Sequence, residues 1–94
     1  MIQTKEKQVD EIMELAYSVN SIIMKGGSYV TAKNIGYLEE TTDKIIMKVK
    51  EVLADNEILD SVVDKDGFID DMRTILDISE RNKVTIENYI KQLR

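Results

Sequence analysis

The 94-residue chain has no cysteine, no histidine, no proline and no tryptophan, and its aromatic residues are Phe68 and four tyrosines. Without cysteine there is no disulfide framework and no thiolate chemistry. Without histidine the usual general base near neutral pH and the commonest metal ligand are missing. Zinc held by nitrogen and sulfur is therefore excluded. Without proline, and with only four glycines, few positions force a break, so long helices are permitted throughout. No apolar run approaches transmembrane length. Residues 1–10 are polar and mixed in charge, unlike a secretory leader. A cytoplasmic location is the expectation, with leaderless export left open.

What is present points to a folded helical chain. Hydrophobic residues make up 43% and charged residues 33%, too apolar for disorder and too charged for a membrane span. The length suits one domain, residues 1–94. With so few aromatics, its core has to be built from Ile, Val, Leu and Met. A chain this short buries a limited share of its surface, which favours self-association or a partner.

The apolar spacing is helical. Val9, Ile12, Ala16, Val19 and Ile23 recur at alternating steps of 3 and 4, with Met13, Leu15 and Ile22 widening the stripe, and predict a helix over 4–25. Gly26 and Gly27 follow as a stop. Ile35, Leu38, Thr42, Ile45, Val49 and Val52 repeat the pattern, and the phase runs on to Leu59 and Val63. This predicts a helix over 31–63, capped at Thr31, either continuous or broken near 55–56. In a continuous helix Asn56 sits on the seam and fixes register; at a break it is a cap. Asp66-Gly67 reads as a turn, and the last helix as 68–93. Acids Asp70 and Asp71 open that helix, and Lys91 and Arg94 close it, as its dipole prefers. Its apolar face of Met72, Ile75, Leu76, Ile86, Tyr89, Ile90 and Leu93 is thinnest at residues 79–83. The expected fold is all-α: an antiparallel up-down-up bundle of three amphipathic helices, or four if the long one breaks, with dimerisation open.

Charge is unevenly placed. Residues 55–71 hold seven acids (Asp55, Glu57, Asp60, Asp64, Asp66, Asp70 and Asp71) against Lys65 alone, a net −6. The whole chain is −5, so the other 77 residues sum to +1. Interleaved apolar residues, Phe68 among them, make an acidic rim that suits a basic partner. Helix capping and dipole effects account for several of these acids without any partner. Asp64, Asp66 and Asp70 around Gly67 imitate the middle of a calcium loop, yet Val62 and Arg73 occupy the two ends where carboxylates are required. No metal or other cofactor is expected. Phosphate-loop and di-metal carboxylate motifs are missing. The acidic balance speaks against direct nucleic-acid binding, and no basic amphipathic face suits a membrane surface.

These readings favour a non-enzymatic interaction module, an assembly or adaptor component that uses an apolar helix face to bind another protein, its own copies included. The rival is an acidic inhibitor, such as an immunity protein, antitoxin or anti-defence factor. It would block a basic partner through Asp55, Glu57, Asp60, Asp64, Asp66, Phe68, Asp70 and Asp71. A leaderless secretion substrate or its chaperone ranks third. The frequency of Ile, Lys, Asn and Asp suits an AT-rich bacterial or phage genome.

Overall fold

The computed structural model describes residues 5–93, with side chains from Lys7 onward. The expected helix start at Thr4 and the role of Arg94 in the last turn lie outside the described residues. Among the described residues four helices follow one another: α1 (Lys5–Lys25), α2 (Ile35–Leu53), α3 (Asn56–Ser61) and α4 (Lys65–Leu93). They pack on one another as an all-α bundle. Helix α1 stops where its periodicity does. Gly26 takes φ +96° and ψ 179°, a conformation open essentially to glycine alone, and its N–H donates to the Ile23 carbonyl at 3.1 Å. A short 3₁₀ turn, Gly27–Tyr29, comes next. The Tyr89 ring packs so closely over Gly27 that a β-carbon there would lie 3.3 Å from the ring edge.

The regular part of α2 begins at Ile35 rather than just after Thr31. Thr31 does cap, but it caps a single turn. Its hydroxyl accepts from the Asn34 N–H at 3.2 Å, and the Asn34 side chain accepts from the Thr31 N–H at 2.8 Å. The two satisfy each other as in a capping box. Asn34 also donates to the Tyr29 carbonyl at 2.8 Å, which ties the turn to the segment before it.

The long helix breaks. Asp55 is extended (φ −96°, ψ 99°), and its carboxylate accepts from the Glu57 and Ile58 N–H groups at 3.0 and 3.3 Å. Asp55 is thus the cap of α3. Asn56 is merely its first residue and is exposed, so it holds no seam register. The break turns Ile58 and Leu59 into the core while Val63, expected on the seam, is fully exposed.

The predicted turn at Asp66-Gly67 is also corrected: both residues lie in the first turns of α4. Asp64 starts this helix by accepting from the Gly67 N–H at 3.0 Å. A β-carbon on Gly67 would collide with that same Asp64 carboxylate. Glycine is here to make room for a cap, not to reverse the chain.

Ile12, Val19, Leu38, Ile45, Val49, Met72 and Ile86 form the centre of the core, each almost wholly buried. Helix α4 packs chiefly against α2, α1 packs on α2, and α1 and α4 barely meet. The bundle is elongated, 45 × 29 × 19 Å, with a radius of gyration of 14.6 Å, against roughly 12 Å for a compact domain of this length. Among the described residues Thr41, Thr42 and Ser79 are buried polar side chains. The Thr42 hydroxyl is buried and has no hydrogen-bond partner among the described residues. Asn82 donates to the Asn20 side chain at 2.7 Å, linking α4 to α1.

Candidate functional site

The sequence-predicted acidic residues gather at one end of the bundle, on α3, the following bend and the first turns of α4. Glu57, Asp60, Asp64, Asp66, Asp70 and Asp71 are exposed and Asp55 is half-buried. Local structure occupies several of them. Asp55 caps α3 and Asp64 caps α4. Asp60 meets Lys65 at 3.5 Å, and Asp66 complements the dipole in the first turn of α4. Asp66 and Asp70 lie one turn apart along the outside of that helix. Lys65 onward being helical, the stretch does not form a calcium loop. Phe68, expected in the apolar middle of the patch, is half-buried and packs against the core.

Beside this end, between α1, α2 and α3, lies an open hollow of about 220 Å³ that includes Gln8, Lys48, Glu51 and Asp55. It is smaller than ordinary ligand pockets. Its cation and one of its acids are already engaged, Lys48 with Glu11 at 3.5 Å and Asp55 in its cap. The α1–α2 side is further closed by Lys44 to Glu11 at 3.5 Å and by a 3.0 Å bond between the Ser18 and Tyr37 hydroxyls. On the α2–α4 side Lys83 pairs with Asp43 at 3.0 Å. The hydrogen bond and charge of Asp43 hold the lysine above its ordinary pKa.

The other candidate surface lies on α1. Met13, Tyr17 and Met24 stand on the outer face of α1, 51%, 77% and 83% exposed. Met13 was expected to widen the buried stripe. At 100° per residue, however, Met13, Tyr17 and Met24 fall well to one side of Ile12 and Val19, past the edge that meets α4. Tyr17, Asn20, Ser21 and Met24 enclose a shallow hollow of about 380 Å³. The available signal was the step of 4 and then 7 between three large apolar residues. Met47 is exposed as well, on α2, whereas Met72 belongs to the core.

Among the described residues no helix is long and apolar enough to cross a membrane. No protein-family model, curated protein or solved structure matches the chain.

Proposed function

We propose that the chain is a non-enzymatic helical interaction module, an assembly or adaptor component that binds protein through the outer face of α1. The observation that carries this reading is the exposed stripe of Met13, Tyr17 and Met24. Isolated apolar residues on a surface are ordinary, but an aligned set on one helix face marks contact. Tyrosine is a frequent anchor in interfaces, and methionine adapts its shape to what it meets. The lack of His and Cys, together with acids engaged in caps, supports a role outside catalysis.

A second reading is favoured by one observation. Six exposed acids, Glu57, Asp60, Asp64, Asp66, Asp70 and Asp71, project from one end around the exposed Val63 and suit a basic partner. An inhibitor acting there depends on charge, so its complex weakens steeply with salt, because exposed charges are screened within about 10 Å at 0.1 M.

Affinity capture from an extract of the cells that make the protein separates the two. The interaction reading expects a retained protein that resists high salt and is lost with Tyr17→Lys. It also expects that protein to be kept when Asp60, Asp64, Asp66 and Asp70 all become Asn, a change that preserves the Asp64 cap. The opposite pattern would establish the inhibitor.

A further inference from the structure

We propose that the occupant of the α1 stripe is a second copy of the chain, docked antiparallel about a two-fold axis; this rests on the reading above and deepens it. The register follows from the two methionines: setting Met13 against Met24 of an antiparallel copy places the two-fold axis between Ser18 and Val19, with Tyr17 at the level of Asn20. An antiparallel copy therefore sets Met13 against Met24 of the other chain at both ends, with the two Tyr17 side chains along one edge of the middle and the two Asn20 side chains along the other. Such a contact closes on itself with two copies.

The charges at its ends are complementary in the same register. Asp10 and Glu14 flank the Met13 end, and Lys25 flanks the Met24 end, resting over Tyr29 at 5.6 Å. All three fall on one edge of the stripe at 100° per residue. A two-fold axis between antiparallel helices keeps like edges together, so Lys25 of the second copy arrives between Asp10 and Glu14. A partner that was simply basic would meet a lysine at one end of this stripe; a second copy meets acids with its cation at both ends.

Three large apolar side chains per copy make a modest contact, so the dimer should dissociate on dilution.

The natural absence of cysteine gives a clean test. One chain carries Met13→Cys and another Met24→Cys, and the two are treated with a short bismaleimide alone and mixed. Antiparallel docking predicts a linked pair chiefly in the mixture, because the two positions are 11 residues, about 16 Å, apart along the helix. Cross-linking of each chain to itself would mean parallel docking and overturn the proposal. So would a mixture that links no faster than a Val84→Cys control, which sits exposed on α4. Sedimentation equilibrium supplies the energetic arm. Tyr17→Lys should weaken the dimer at least tenfold; Lys25→Glu should weaken it too, and adding Glu14→Lys should restore it. A chain that stays monomeric at every concentration overturns the second-copy assignment. If extract capture still depends on Tyr17, the interaction reading survives that result; if it does not, both fall.

Discussion

The two boundaries of α4 are made differently. Towards α2 it meets a continuous apolar seam: Leu38, Ile45, Val49 and Val52 are 0–3% exposed, as are Met72 and Ile86 on α4 itself. Towards α1 the thin middle of α4 offers Ile75, Ile78, Ser79 and Asn82, and a 2.7 Å bond from Asn82 to Asn20 crosses the boundary. A gap of about 30 Å³ remains there among Ala16, Asn20, Ile78 and their neighbours. Apolar burial stabilises in proportion to area, about 25 cal/mol per Å², whereas an intramolecular hydrogen bond nets only about 1 kcal/mol. Helices α2 and α4 should therefore carry most of the stability. Helix α1, held mainly through α2, is the element with a face to spare.

The strongest way to break this contrast is to hollow out the seam. Ile86→Ala removes a side chain that is 1% exposed and should cost about 2–5 kcal/mol. That is a large part of the ~5–15 kcal/mol that holds a small domain together. A urea melt should show the midpoint falling sharply. Ile78→Ala, at the half-buried edge of the cleft, should cost far less. Equal losses would show that the two boundaries are energetically alike.

The contrast was only half legible in the sequence. Periodicity is a global signal, repeated over many residues, so α1, the main part of α2 and the apolar face of α4 could be read directly. The thin stretch at 79–83 was visible too, but not what it meets, because Asn20 lies 62 residues away. Asn56 could be read as a seam residue of a continuous helix or as a cap at a break; the helix breaks, and Asn56 is exposed on α3. Caps compete at short range: Asp55 outdid Asn56 because its carboxylate reaches two N–H groups, and Asp64 drew Gly67 into a helix. The acids of the candidate patch could be counted from the sequence, but not which of them were already capping helices. The α1 stripe could not be separated from the core stripe, because a methionine fits either until the helix is rotated against its neighbours.

A smaller effect tests the cleft itself. Asn82→Ala deletes the donor to half-buried Asn20 and should cost about 1 kcal/mol. The cost should also be local. Hydrogen exchange reports openings of separate segments, so α1 amides should lose protection while those of α2 and the first half of α4 stay near the wild type. Uniform loss along the chain would mean that α1 opens only with the whole bundle, and that the Asn pair is part of a single cooperative core.

The smallest change should be a gain. Thr42 lies on the seam, 1% exposed, and its hydroxyl has no partner among the described residues. A buried hydroxyl left unsatisfied costs about 1–3 kcal/mol. Valine keeps the β-branched shape and has a similar helix propensity, so Thr42→Val should stabilise by about 1 kcal/mol. For a domain of this size that raises Tm by roughly 4–8 °C, measurable by calorimetry. A fall in Tm would show that the hydroxyl has a partner in solution, such as an internal water. The seam would then hold a polar link of its own, and the difference between the two sides of α4 would be one of degree.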